Sequence, residues 1–519
     1  MTRKKLPIGI QTFAKMREED YYYVDKSGIA VDLTQSGSHY FLSRPRRFGK
    51  SLFLDTLKEL FEGNQALFKG LAAENRWDWS VKYPLLRISF GGGVLGSVGD
   101  LNQSLHQQLT ALESRYQLAA QFPDHRSRFK ELITRVAQAT GQRVVILVDE
   151  YDKPILDRIE NPEIALQIRE VLKDLYSVIK DADAHVKFAF LTGVSKFSKV
   201  SLFSGLNQLE DLTLNARYGD ICGYTEADVD KVFAAELEGL DRDEIRRWYN
   251  GYNWLGTPVY NPFDLLLLFR HRAFRPFWFE TGTPTFLIKL LAKRQQFVPD
   301  LERIVAPESL LSTFDVDIIP TEALMFQAGY LTIQSARMIP GRMELVLRYP
   351  NQEVRASLHD SLLQELSGDR AIPGRQVGRL YDILVANDIP ALRALITAFF
   401  DSIPNDWYRS NTIASYEGYY ASVFYSYFAA LGLDITVEDS SNKGRLDMAV
   451  RFQNRIYLFE FKVVELTPQG QALAQLKAKN YAAKYLAEKQ VIYLIGVEFS
   501  KEQRNIVAFD VEALLAAGD

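Results

Sequence analysis

At 519 residues the chain is too long for one ordinary core, and two to four domains are expected. Its 61 basic and 65 acidic residues give a formal net charge of −4, which excludes a global basic field for nucleic acid and leaves only a local surface for it. The single cysteine, Cys222, excludes an internal disulfide, no apolar run reaches the length of a membrane span, and the opening MTRKKLPIGIQTF lacks the apolar stretch of a signal peptide, so a cytoplasmic location with no membrane partner is expected.

In chain order, HYFLS (39–43) reads as a strand, and the SRPRRFGKS that follows resembles the phosphate-loop pattern G-x-x-x-x-G-K-[ST] with Arg44 in place of the first glycine. From Ser51 onward, Leu52, Phe53, Leu57 and Leu60 fall at helical spacing. A strand, a tight turn and a helix start are the three parts a nucleotide phosphate needs. In that use Lys50 would reach the β and γ phosphates, Ser51 would hold Mg2+, Gly49 would let the backbone pass close, and Arg46 and Arg47 would add charge. Arg44 and Pro45 should stiffen the turn. On these residues alone a basic turn before a helix is an equally open alternative.

LLRISF (85–90) is the next strand, and GGGVLGSVG (91–99), which lacks G-x-G-x-x-G spacing, reads as a flexible connection. VVILV (144–148) is apolar throughout, as a strand buried on both faces should be, and it runs into Asp149-Glu150. That pairing is a Walker B signature: a carboxylate for the Mg2+ shell, then a glutamate that can orient attacking water. KFAFLT (187–192) ends in Thr192, placed to contact the γ-phosphate or the water, and LEDLTL (209–214) completes a series that predicts a parallel α/β sheet. TEADVDKVFAAEL then opens a helical unit, with Thr225 as N-cap and Asp228 three residues on. WYNGYNW (248–254) reads as packing, and ALMFQAGYLTIQ and MELVLRYP read as a hairpin around ARMIPGR. A helical connector follows, to about residue 404.

Beyond it, SYEGYYASVFYSYFAAL carries a broad apolar helical stripe bordered by Glu417. In SNKGRLDMAVRFQNRIYLFEFKVV two strands flank Gln453-Asn454, with Asp447 on the first and Glu460 and Lys462 on the second. Residues two apart share a strand face, so Glu460 and Lys462 point away from the apolar Tyr457, Phe459 and Phe461. Two carboxylates and a lysine converging across a hairpin supply what metal-assisted phosphodiester hydrolysis needs: Asp447 and Glu460 to hold Mg2+, Lys462 to position water and stabilise developing charge. The spacing D-x12-E-x-K fits the PD-(D/E)XK pattern. In GQALAQLKAKNYAAKYLAEK, Lys477, Lys479 and Lys484 read equally as a phosphate-contacting or a plain solvated helix face. The six histidines show no metal-ligand spacing.

With LPIGIQTFAKMREEDYYYVDKS, RPRRFGKS, ILVDEYDKP, LTGVSKFSKVSLFSGLN, WYNGYNW, VYNPFDLL, FQAGYLTI and YPNQEV, the chain resembles, over nearly its whole length, prokaryotic proteins that join an AAA-like ATPase module to a C-terminal PD-(D/E)XK nuclease-fold domain. The resemblance implies that Arg44 is the family's usual form, that Lys50, Ser51 and Asp149 bind ATP and Mg2+, and that Glu150 is the hydrolytic base. It also implies that Glu417 is a further metal-site carboxylate and that Gln475 and Tyr481 match the family's helix. The expected fold is a multidomain α/β chain: an AAA-like P-loop NTPase parallel sheet (1–223), a helical lid (224–300), a winged-helix-like connector with hairpin and helices (301–404), and a restriction-endonuclease-like α/β domain (405–519). The expected activity is ATP-gated, Mg2+-dependent cleavage of nucleic acid, DNA before RNA, with homo-oligomerisation left open. The rival expectation is a nucleotide-regulated switch or scaffold that binds nucleic acid or protein without cutting.

Overall fold

The computed structural model describes residues 3–196, 208–282, 285–294, 298–311, 320–367, 371–402, 417–441 and 444–514. The chain forms two compact units, Met1–Gly282 with Arg303–Asn351, and Thr283–Glu302 with Gln352–Asp519. The expected 1–223 segment falls in the first unit and 405–519 in the second, while the lid and connector stretches each contribute to both. Among the described residues no helix is long and apolar enough to cross a membrane.

The first unit is built on five parallel strands, β1 (His39–Ser43), β2 (Leu85–Ser89), β3 (Val144–Asp149), β4 (Val186–Gly193) and β5 (Glu210–Asp211), in the order β2-β3-β4-β1-β5. Every residue of β1 and β3 is buried, which is why their sequences do not alternate. Helices Val98–Arg115, His125–Thr140 and Pro162–Asp181 supply Leu105, Phe129, Ile168 and Leu172 to the core beside Ile146 and Val148. Each starts at a side-chain cap, Ser97, Asp124 and Asn161 respectively. The order matters for the site, because β4 lies between the strand feeding the basic loop and the strand ending in Asp149.

β5 is shorter than LEDLTL predicts. Asp211 Oδ1 accepts the Thr213 backbone N–H at 2.9 Å, an Asx turn that ends the strand after two residues. The capping box at Thr225 and Asp228 forms as expected. The short pair β6 (Tyr224–Thr225) and β7 (Val259–Tyr260) precedes a three-stranded antiparallel sheet of β8 (Ile304–Pro307), β9 (Thr332–Ile339) and β10 (Arg342–Arg348), in the order β8-β10-β9. The hairpin is present, but ALMF belongs to the helix Thr321–Ala328, which ends where Gly329 takes φ +92, and only Pro340-Gly341 of ARMIPGR forms the turn.

The second unit centres on β11 (Asp434–Ser441), β12 (Gly444–Phe452), β13 (Arg455–Val464), β14 (Val491–Ser500) and β15 (Asn505–Leu514), ordered as in the chain. All neighbours are antiparallel except β13 and β14, which are parallel and joined across helix Gln471–Lys479. One face of the sheet is closed by helices Ile389–Ser402 and Glu417–Ala430, through Phe400 and Tyr420 on Phe499 and Phe424 on Phe461. Leu476, Tyr481 and Tyr485 cover the other, over Ile456, Leu458, Ile492 and Leu494.

Candidate functional site

Two clusters of the expected residues form, one in each unit. In the first, the basic loop ends at Gly49, whose φ of +95 turns the chain into helix Lys50–Phe61; a residue with a Cβ meets that conformation only at a cost. Lys50 is buried, and its ammonium donates to the loop's own carbonyls at Arg44 (2.8 Å) and Pro45 (2.9 Å). Burial lowers the Lys50 pKa, opposed by Cys222 and the carboxylates of Asp149, Asp152 and Glu150, so those acids and Lys50 share one neighbourhood. Ser51 is half-buried at the helix start, and Arg46 and Arg47 are exposed, with the Arg47 guanidinium 4.9 Å from the centre of the Phe263 ring.

Arg44, expected to stiffen the turn, does so from inside the protein. It is fully buried, donating to the carbonyls of Ser43 (2.8 Å), Thr213 (3.0 Å) and Tyr218 (3.1 Å), with its guanidinium 4.2 Å from the centre of the Trp254 ring. Burial pulls its pKa down to about 10, so it stays protonated at neutral pH. Phe48 meets Tyr252 and Trp254 edge-on, Trp278 Nε1 donates to the Arg46 carbonyl at 3.1 Å, and Pro45 lies against Gly329. WYNGYNW and FQAGYLTI therefore do pack, and what they pack on is the basic loop. Sequence spacing carries no signal for this, because the partners lie about 170 to 280 residues away.

Asp149 ends β3 almost fully buried, and the Thr192 hydroxyl donates to its Oδ1 at 2.9 Å. Thr192 has no exposed surface, and the group it meets here is the Asp149 carboxylate, which its hydroxyl holds in place. Arg87 stands 3.8 Å from Asp149 Oδ2 and donates to Asp55 at 2.8 Å. Glu150 sits at φ +53, an uncommon conformation for a side-chain-bearing residue. Burial raises its pKa; Asp149 and Asp152 push the same way, while Lys50 and Lys153 oppose. GGGVLGSVG is nearer this cluster than expected, since a Cβ on Gly91 would lie 3.5 Å from Glu150 Oε2. Asp152, unassigned from sequence, accepts the N–H groups of Val194 and Ser195 and the Ser195 hydroxyl, fixing the turn after β4.

In the second unit the β12–β13 ladder runs from Phe452↔Arg455 to Met448↔Phe459 and then stops, while β13 stays paired with β14 as far as Val464. The two strands fork there, and Asp447 and Glu460 are the first residues beyond the last rung. Asp447 Oδ2 accepts the Phe461 N–H at 2.8 Å, taking the place of a ladder carbonyl. Glu460 is 1% exposed, its Oε1 accepting from Gln475 and, at 3.3 Å, from Lys462. Lys462, about a quarter exposed, also donates to the Phe461 carbonyl at 2.9 Å. Glu460 is therefore a buried carboxylate, and only the Lys462 end of the pair reaches solvent.

The helix Gln471–Lys479 is pressed on this face because Gly496, level with Glu460, has no side chain: a Cβ there would fall 2.3 Å from Leu473 N. Glu498 accepts the N–H groups of Gln469 and Gln471, anchoring the helix start. Burial raises the Tyr481 pKa and Glu460 adds to it; Gln475, hydrogen-bonded to the hydroxyl, opposes, Asp447 raises it further and Lys462 opposes. The charges of the three expected side chains thus all bear on one tyrosine. The helix opened by Glu417 packs on the opposite face of the sheet, and the Glu417 side chain lies outside the described residues.

Among the described residues no three His, Cys, Asp or Glu side chains gather closely enough to hold a cation by themselves. The oxygen donors that the two clusters do offer, Ser51, Asp149, Asp447 and Glu460, are of the hard kind that Mg2+ takes beside its waters.

A family model described as predicted AAA-ATPase matches residues 7–203, and one described as PD-(D/E)XK nuclease superfamily matches residues 415–509. The chain is 63% identical over 515 residues, 99% of its own length and 100% of the relative's, to an uncharacterized protein in the vnfD 5' region of Azotobacter chroococcum mcd 1.

Proposed function

We propose, from the premise that this chain belongs to the family of predicted AAA-ATPases joined to a C-terminal PD-(D/E)XK nuclease-superfamily domain, that it binds and hydrolyses ATP and cleaves phosphodiester bonds in nucleic acid, DNA before RNA. Nucleotide state gates the cleavage, and the setting is the cytoplasm. The observation that carries the nuclease half is Glu460, buried at the fork of two strands with Lys462 on one oxygen and Asp447 bonded to the neighbouring amide. A buried charge is retained against its desolvation cost only when it is well paired or has work to do.

Mg2+ would be held by Ser51 and Asp149 in one unit and by Asp447 and Glu460 in the other; when bound it supplies positive charge against phosphate oxygens and makes water more acidic. Nucleotide phosphate in the loop competes with the Arg44 and Pro45 carbonyls for the Lys50 ammonium, while Arg46 and Arg47 face solvent where phosphate enters. Glu150, its pKa raised by burial, is a stronger base than a free carboxylate and is suited to take a proton from water. In the second unit Lys462 orients water and stabilises charge on the attacked phosphate, and Gln475 fixes the Glu460 carboxylate.

Purified protein incubated with linear, circular and single-stranded DNA and with RNA, with and without ATP and Mg2+, tests both halves. Asp447→Asn and Lys462→Ala should each lower cleavage by roughly 100-fold or more, a size typical for loss of a positioned charged group, with ATP binding unchanged. Cleavage that survives both substitutions sinks the nuclease half. Glu150→Gln should retain bound ATP and lose turnover; unchanged turnover removes Glu150 as base.

A further inference from the structure

We infer that the β9–β10 hairpin is a contact for the phosphate backbone of duplex DNA, and that the helix before it is not. The inference rests on the nucleic-acid reading above and adds where the chain grips a substrate. The described elements after β8 run helix Glu308–Leu311, helix Thr321–Ala328, β9 and β10, with β8 pairing β10: the strand, helices, hairpin order of a winged helix. In such modules the second helix is the usual groove reader. Here it is occupied, since Ala323, Met325, Phe326 and Gln327 are buried, Gln327 accepts the Lys196 N–H, and Gly329 lies against Pro45 of the basic loop.

The hairpin remains available. Leu345 and Leu347 point inward with no exposed surface, so the alternate residues of β10, Arg342, Glu344, Val346 and Arg348, face out, and Arg337 of β9 stands opposite Glu344. Arg342 and Arg348 are exposed, and the Arg337 side chain is 71% exposed. Three arginines against one glutamate leave this strand face net positive in a chain whose total charge is −4. Arg342 and Arg348, six residues apart along one strand, span about 20 Å, with the ladder's one irregularity between them at Val346 and Leu347, and the guanidinium fork matches phosphate. Of the Arg337–Glu344 pair the arginine side chain is 71% exposed and the glutamate 19%, so phosphate can reach the guanidinium from its open side while Glu344 competes for it.

The test measures anisotropy of a fluorescein-labelled 25-base-pair DNA duplex with the full chain in EDTA, where metal-dependent cutting does not interfere, across a series of salt concentrations. Arg337→Ala with Arg342→Ala should weaken binding roughly 10-fold and reduce the slope of log affinity against log salt by about 2, one unit per lost phosphate contact. The corresponding double lysine variant should stay within about threefold of wild type. Glu344→Gln should tighten binding by about two- to threefold, a gain that misfolding does not produce. Equal affinity and slope for wild type and the double alanine variant overturn the inference, even where cleavage assays uphold the nuclease. So does absence of duplex binding by wild type, or a change of oligomeric state at unchanged DNA affinity, which makes the hairpin a self-contact.

Discussion

The basic loop and the strand fork hold comparable charges by opposite means. At the fork, Asp447, Glu460, Lys462, Gln475 and Tyr481 lie within 35 residues, and the site is made by one hairpin and the helix that follows it. At the loop, the charged groups are few, but the segments that fix them come from residues 213, 218, 254, 278 and 329. The difference teaches that a site built locally shows itself as spacing, whereas a loop held by distant segments shows only its charged residues.

The comparison breaks most visibly at Arg44. Arg44→Gly restores the usual phosphate-loop glycine but empties a large buried volume and strips three carbonyls of their donor, so thermal unfolding should show a loss of about 3 kcal/mol with no gain in ATP affinity. A more stable variant that binds ATP better would make Arg44 a mere substitute for glycine. Next, Gly329→Ala forces a side chain into φ +92 and within 2.8 Å of Pro45, at a cost of about 2 to 3 kcal/mol; ATP affinity should fall, and cleavage should then need a higher ATP concentration. Its counterpart Gly496→Ala should cost about 2 kcal/mol by lifting the crossover helix from β14. Gln475 and Tyr481 then move from Glu460, so cleavage should fall with ATP hydrolysis intact; the reverse outcome separates the helix from the site.

The smallest effect sharpens the comparison through pH. The Glu150 pKa is raised in the fold, so the folded state binds its proton more tightly than the unfolded chain does. The ionised carboxylate therefore costs stability at neutral pH, and the cost fades as pH falls through the raised value. Glu150→Gln should melt slightly higher than wild type at pH 7, by less than about 1 kcal/mol because the group is half-buried, and the two should converge toward the ordinary glutamate value of 4.5. A gap that widens on acidification would contradict the burial argument.

The strands HYFLS, VVILV and KFAFLT, the turn at Gln453-Asn454 and the shared face of Glu460 and Lys462 were all legible, because each follows from a period-two pattern or an apolar run within ten residues. The shortness of β5 was legible in principle, from an aspartate two residues before a threonine N–H, and was masked by the apolar residues around it. Thr192 was visible as a strand-terminal polar residue, but its orientation behind Asp149 was not, since that depends on β4 lying between β1 and β3.

The amino-acid sequence alone determined the two chemistries on offer, a lysine and carboxylates beside a phosphate-type turn and two carboxylates with a lysine across a hairpin, because residue type and local spacing decide which groups share a strand face or a loop. Tertiary structure alone decided which polar and charged side chains are held inside the protein. Arg44 and Glu498 bond to backbone and Thr192 to the Asp149 carboxylate, and the helix before the β9–β10 hairpin is covered, because burial and hydrogen-bond partners come from segments that only the folded chain brings together.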